Sequence, residues 1–231
     1  MLKDVASSAG FALTDSQLAA FEKYKQLLLE YNAKFNLTAI TDSDEVDLKH
    51  FTDCMYCIKD IPQGASVADV GSGAGFPGMV AAILRPDAKF TLMDALNKRV
   101  GFLETVAGEL GLKNVECIHI RAEDAAKPDA MRESFDIVVA RAVANMASLS
   151  EYCLPLVKKG GAMVALKGRK TEEELEAAKP LIKLLGGKTK KVEEYSLQGS
   201  DISDHCIVVV EKMESTPGKY PRKGKKIGTI G

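Results

Sequence analysis

Along residues 65–212 of this 231-residue chain, strand and helix signals alternate. Such alternation predicts an α/β fold, a mostly parallel seven-stranded sheet with helices on both faces. A glycine-rich turn, Gly71-Ser72-Gly73-Ala74-Gly75, joins the first strand of that alternation to its first helix. The polar residues Asp69, Asp94, Glu123, Arg141 and Lys167 all fall at or near strand ends, where ligands sit in sheets of this class.

Ahead of the sheet, Thr14 and Gln17 make a capping box that opens a long helix over residues 15–34. Leu18, Phe21, Leu28, Tyr31 and Phe35 follow a helical stripe along it. Residues 44–58 form a second helix, carrying Lys49, His50 and Asp53. Residues 1–62 are thus an N-terminal helical cap, bounded by the turn Pro62-Gln63-Gly64. Val67, Ala68 and Val70 suit a strand covered on both faces, and Pro77 suits the first turn of a helix over residues 78–84. Strands follow at 89–93, 115–120, 135–140 and 162–166, with helices at 97–110, 148–157 and 171–185. Gly160-Gly161 reads as the turn into the fifth strand. Strands at 188–197 and 205–211 make a closing hairpin at one sheet edge. The ligand-binding domain then spans 63–212, and 213–231 is a basic flexible tail.

A hydrophobic content of 46% and a charged content of 27% are ordinary for a soluble globular chain. The net charge of −1 gives no global push toward nucleic acid or membrane, so such roles need local patches. The chain has no apolar run of the roughly 18 residues that span a bilayer, and it opens without a secretory pattern. The expectation is a cytoplasmic protein with no membrane association. Cys54 and Cys57 form a C-x-x-C without the second pair or nearby histidine that zinc requires. They read as small buried residues, and no metal centre is expected.

A glycine loop alone does not choose a ligand, because dinucleotide enzymes use nearly the same one. Gly71, Gly73 and Gly75 allow positive φ and close approach. Asp69, two positions before Gly71, would repel a pyrophosphate and would suit the ammonium and sulfonium of S-adenosylmethionine (SAM). Asp94 lies 23 residues after Gly71, the spacing at which a carboxylate meets adenosine ribose hydroxyls. Ala122-Glu123-Asp124, after the third strand, offers backbone amides and a carboxylate to an adenine edge. The fold expected is therefore Rossmann-like and SAM-dependent, that of a methyltransferase.

After the fourth strand, Ala140-Arg141-Ala142-Val143-Ala144-Asn145 lacks the N-P-P-Y of exocyclic-amine methylation and the Pro-Cys of cytosine C5 chemistry. No obvious general base stands out. A ring nitrogen such as guanine N7 carries a lone pair and loses no proton on methylation, so positioning and desolvation carry the reaction. Arg141 and Lys167 suit such a site, directed at O6 or a phosphate, since a cation on N7 would block attack. From Lys212 to the end there are six basic residues against Glu214, a composition suited to RNA phosphates. Arg169 and Lys170 extend the positive surface near the strand-end cleft.

These residues resemble the bacterial ribosomal RNA small-subunit methyltransferase G family, also called glucose-inhibited division protein B. The matching stretches are Asn36-Leu37-Thr38, His50-Phe51-Thr52-Asp53, the loop from Asp69 through Phe76-Pro77-Gly78, and Asp94-Ala95-Leu96-Asn97-Lys98-Arg99-Val100-Gly101-Phe102-Leu103. They continue with Arg121-Ala122-Glu123-Asp124, Ala140-Arg141-Ala142, Leu166-Lys167-Gly168 and Tyr220-Pro221-Arg222-Lys223. Asp94-Ala95 replaces the family's usual Asp-Ser, and Thr52 stands where an aliphatic residue is frequent. The resemblance implies methyl transfer from SAM to N7 of one guanosine in 16S ribosomal RNA; the partner expected is that RNA or the small ribosomal subunit, and the chain is expected to act as a monomer. It places Gly71 and Phe76 against the cofactor and Ala122-Glu123 on its adenosine. Arg141 falls between cofactor and target base, with Asn36, His50 and Lys167 toward RNA.

Three rivals remain open on sequence. A nicotinamide-dependent oxidoreductase is disfavoured by Asp69, by the missing second mononucleotide half and by the final hairpin. A non-catalytic RNA-binding or assembly factor on the same fold is disfavoured by the intact loop with Asp94 and Glu123. Against a methyltransferase for a protein or small molecule stands the basic tail.

Overall fold

Apolar residues on both faces put β1 (Ser66–Val70) in the middle of the sheet, with Val67 and Ala68 fully excluded from water. The computed structural model describes residues 1–168, 171–197 and 205–229. The further strands are β2 (Lys89–Asp94), β3 (Val115–His119), β4 (Phe135–Arg141), β5 (Val157–Lys167), β6 (Gly187–Tyr195) and β7 (His205–Lys212). Their spatial order is β3-β2-β1-β4-β5-β7-β6. All pairs are parallel except those of β7, which runs antiparallel to both β5 and β6. The expected seven strands and closing hairpin are both present. Strand order reverses between β1 and β4, and the crevice at the carboxyl ends there is where this sheet class takes ligands.

The helices, in chain order, are α1 (Leu2–Ser8), α2 (Asp15–Phe35), α3 (Ser43–Glu45), α4 (Asp53–Met55), α5 (Gly78–Leu84), α6 (Asn97–Glu109), α7 (Ala122–Ala125), α8 (Met146–Cys153) and α9 (Thr171–Leu184). Side-chain alternation divides the core. Val67, Phe90, Leu92, Ile137 and Val139 face one cluster, which includes Phe21, Tyr24 and Leu28 of α2 and Leu103 of α6. Val70, Val138, Ala140 and Val208 face the other, completed by Leu149 of α8 and Leu181 of α9. The N-terminal helices therefore share one core with the sheet. Thr14 caps α2 as expected: its hydroxyl accepts from the Gln17 N–H, and the Gln17 side chain accepts from the Thr14 N–H.

The structure departs from the sequence expectation in four places. Leu2, Val5 and Ala6 bury one side of α1, a helix too short to leave a periodic signal. The second cap helix changes pitch: between α3 and α4 it is π-helical over Val46–Thr52, and it ends in a 3-10 turn at Tyr56–Asp60. Gly160-Gly161 is a bulge inside β5, where the register jumps between Phe135 and Ile137. A Cβ on Gly161 would overlap the Asp136 carbonyl oxygen, so the strand passes only with glycine there.

The fourth departure is the tail, which is packed on the domain through Thr229. Lys212 is wholly buried and donates to the Leu154 and Val157 carbonyls and to the Thr216 hydroxyl. Arg132 donates to the Thr216 and Tyr220 carbonyls at 2.7 Å each. Arg222 forks onto the buried Glu151 carboxylate, at 3.0 Å from Nε and 2.7 Å from Nη2. A charge count treats Lys212 and Arg222 as solvated, whereas Leu154, Val157 and Glu151 reach them from far back in the chain. Arg169 and Lys170 lie outside the described residues. Cys54 and Cys57 are buried free thiols, Cys57 donating to the Cys54 carbonyl, and burial pushes both thiols up. Among the described residues no helix is long and apolar enough to cross a membrane.

Candidate functional site

The glycine loop is built from the inside. Gly71, Gly73 and Gly75 adopt φ of 70°, 59° and 100°, conformations that only glycine takes cheaply. The Gly71 and Ser72 N–H groups donate to the Met93 carbonyl, and those of Gly75 and Phe76 to the Ser72 carbonyl. The Gly73 N–H donates to Asp94 at 3.0 Å, and the Gly78 N–H to Asp69 at 2.8 Å. Six of the seven N–H groups from Gly71 to Gly78 are therefore committed within the protein. In a dinucleotide site such amides cradle the pyrophosphate. This loop has few left to offer.

Asp69 does not face the ligand crevice. Strand alternation turns its side chain to the face covered by α2 and α5, where the missing Cβ of Gly78 makes room for it. The carboxyl is 1% exposed and lines neither cavity described below; it fastens the start of α5 from beneath. Burial pushes it up to about 7, and its second oxygen has no hydrogen-bond partner among the described residues. The expectation that Asp69 meets the ligand directly is corrected to support of the loop.

A groove of about 260 Å³ lies at the carboxyl ends of β1, β2 and β3, lined by Gly71, Asp94, Ala122, Glu123, Val143 and Tyr152 among others. The Asp94 carboxylate is buried and accepts from the N–H groups of Gly73 and Leu96. Oδ2 also takes Arg99 Nη1 at 3.4 Å, so Oδ1, which accepts from Leu96 alone, keeps a lone pair for a hydroxyl donor. The half-buried Glu123 carboxylate makes no hydrogen bond among the described residues, so it is available to a ligand in the groove. Two carboxylates, an apolar wall and a loop closed to phosphate fit an adenosine carrying a cationic sulfur. Asp94, Ala122 and Glu123 are the residues that would hold it.

A second cavity, of about 570 Å³, opens on the far side of residues 141–144. Its lining includes Arg141, His50, Asp53, Lys167, Leu48 and Leu197. Arg141 lines this cavity and not the groove. The Arg141 guanidinium lies 4.7 Å from the Phe76 ring centre. Its Nη1 donates to Asp53 at 2.8 Å and to the Lys49 carbonyl at 3.1 Å, and its Nη2 to His50 Nδ1 at 3.0 Å. No hydrogen bond among the described residues takes its Nε–H or its second Nη2–H.

An arginine N–H can only donate, so His50 Nδ1 accepts and the ring proton sits on Nε2, 2.8 Å from the Thr38 hydroxyl. Burial, then the Arg141 charge, hold His50 down to about 3, so the imidazole is neutral. Tyr195 closes the network by donating to the other Asp53 oxygen at 2.6 Å. Lys167 reaches the same cavity but is held, 3.0 Å from the Ala144 carbonyl and 2.7 Å from Glu174. A larger cavity, about 820 Å³, lies at the amino ends of the strands around Gly64, Asp136 and Lys158, away from Asp94, Glu123, Arg141 and Lys167.

The structure places Asp94, Glu123, Arg141 and Lys167 at the carboxyl ends of the strands, the first two in the groove and the last two in the second cavity. Sequence reasoning missed Tyr24, Tyr152 and Tyr195, which carry no motif and reach the site from distant elements. Asp53 was named on the second cap helix and in a matching stretch, without a role.

The profile of the rRNA small subunit methyltransferase G family matches residues 17–203. The chain belongs to this family. Ribosomal RNA small subunit methyltransferase G of Clostridium perfringens (strain 13 / Type A) is 47% identical over 229 residues, covering 98% of this chain and 95% of that protein. The enzyme of the same name from Alkaliphilus metalliredigens (strain QYMF) is 46% identical over 225 residues, covering 96% and 94%. Among solved structures, TYW2 of M. jannaschii in complex with AdoMet matches with a TM-score of 0.55 at 14% identity, over 70% of this chain and 75% of that one. An rRNA methylase from Streptococcus thermophilus matches with a TM-score of 0.51 at 15% identity, over 70% and 94%. At these identities the solved structures share the fold.

Proposed function

We propose that this chain methylates N7 of a guanosine in 16S ribosomal RNA, using SAM as donor. SAM-dependent methylation of ribosomal RNA follows from the family; the guanine N7, the residue roles and the action of a cytoplasmic monomer on the small subunit are our finer reading. One observation carries it. Two cavities flank residues 141–144, one with carboxylates for an adenosine and one with Arg141 and a neutral His50.

When bound, SAM supplies an electrophilic methyl group. Asp94, Ala122 and Glu123 orient its adenosine, and residues 141–144 lie between the groove and the second cavity. Arg141 directs its two remaining N–H groups to guanine O6 or to a phosphate, leaving N7 clear for in-line attack. N7 gives up no proton, so no side chain has to act as base. Lys167, paired with Glu174, contributes positive potential near the RNA rather than a free ammonium. The committed loop amides count against a nicotinamide cofactor.

The test is transfer of labelled methyl from SAM to small subunits taken from a strain lacking this protein, followed by nuclease digestion and mass spectrometry. A single 7-methylguanosine is expected. Label in another nucleoside would overturn the N7 assignment, and binding of subunits without label would favour the assembly-factor reading.

A further inference from the structure

We infer that Tyr24 of α2 is a positioning residue of the cofactor site, holding the glycine loop in its working shape through the Ala74 carbonyl. The inference rests on the SAM reading above. Its observation is one buried hydrogen bond spanning 50 residues of sequence: the Tyr24 hydroxyl donates to the Ala74 carbonyl oxygen.

The loop N–H groups described above tie its inner edge to the ends of β1 and β2. Ala74 is buried on the side of the loop that faces α2, and among the described residues Tyr24 is the group that reaches its carbonyl. The same hydroxyl, together with Met79 Cβ, occupies the space that a Cβ on Gly75 would need, so Tyr24 reaches Ala74 only past a glycine. The Tyr24 ring is set by Phe51, Phe76 and Phe102, with ring centres 5.2, 5.9 and 6.5 Å away. Phenylalanine would fill that aromatic cage equally well. Burying a hydroxyl costs free energy unless it is bonded, so packing alone does not account for a tyrosine here.

The contact also reaches the second cavity. Phe76 follows Ala74 by two residues and packs against Tyr24, while Arg141 and the His50 ring lie 4.7 and 4.4 Å from it. A loop released at Ala74 would therefore disturb the groove first and the Phe76 platform under Arg141 next. On this account the N-terminal helix is a working part of the cofactor site.

The experiment compares Tyr24→Phe with Phe102→Leu in the full chain. Phe102→Leu loosens the same aromatic cage without touching the loop carbonyl. Calorimetry measures SAM affinity, and hydrogen exchange of residues 72–76 reads loop order in the ligand-free protein. Tyr24→Phe is expected to raise the Kd for SAM by about ten-fold, the scale of one lost hydrogen bond. It should also speed exchange at the loop and raise the KM for SAM by more than it lowers kcat. Phe102→Leu is expected to lower Tm with wild-type SAM affinity. Wild-type affinity and exchange in Tyr24→Phe would overturn the inference, as would equal weakening by both variants in step with lost stability. Failure of the wild-type protein itself to bind SAM would instead overturn the cofactor reading, and this inference with it.

Discussion

Two buried titratable side chains give the protein opposite responses to acid. Burial raises Asp69 from 3.8 to about 7. Between those values the native state binds more protons than the unfolded chain, so this group makes stability fall as pH rises. His50 is lowered from 6.5 to about 3. Below pH 6.5 the unfolded chain takes up a proton that the native imidazole refuses, so this group makes stability fall as pH drops. Neither slope can exceed about 1.4 kcal/mol per pH unit. Asp69→Asn removes the first term and keeps the side-chain volume. Its denaturation midpoint is expected to fall more steeply than that of the wild type on acidification from pH 7 to 5. Parallel midpoint curves would show that the Asp69 carboxyl is ordinary in the folded state.

At the scale of elements, the site is assembled by the helical run from α3 through the 3-10 turn at Tyr56–Asp60. Its π-helical stretch, Val46–Thr52, brings the Lys49 carbonyl and His50 to Arg141, and Asp53 follows directly at the start of α4. Such a wide turn is common at functional sites because it redirects side chains without breaking the helix. Asp53 then bridges β4 and β6 by accepting from Arg141 and Tyr195. Asp53→Asn keeps an acceptor but removes the charge that orients the guanidinium. We expect methyl transfer to fall by about ten- to a hundred-fold, the worth of a charge-assisted hydrogen bond. SAM affinity, measured separately, should stay within about two-fold, because the groove does not include Asp53. Loss of SAM binding in this variant would place Arg141 on the cofactor side.

Over the whole molecule, the last described residues lock the C-terminal half rather than extend from it. Glu151 on α8 is wholly buried and receives Arg222 together with the Gly228 N–H. Arg222→Ala leaves that carboxylate without its cation and should cost about 3 kcal/mol, read as a lower urea midpoint. Removal of residues 213–231 should cost more, since Arg132 and Lys212 lose partners as well. If the truncated chain keeps wild-type stability and only its RNA binding loses salt dependence, the tail acts as a solvated arm after all.

Sequence by itself determined the order of the strands, the parallel sheet with its closing hairpin, and the placement of Asp94, Glu123, Arg141 and Lys167 at strand ends. These are properties of local spacing: period two in strands, period 3.6 in helices, and glycine where φ is positive. Tertiary structure decided which of those polar groups are free. Asp69 is two residues from the loop in sequence, yet the strand's alternation sends it beneath the loop. Lys167 and Arg222 look like solvated cations until Glu174 and Glu151 reach them from other helices. Tyr24 and Ala74 are joined only because α2 crosses the loop. Hydrogen bonds between residues tens of positions apart leave no periodic trace, so these roles became visible only once the chain was folded.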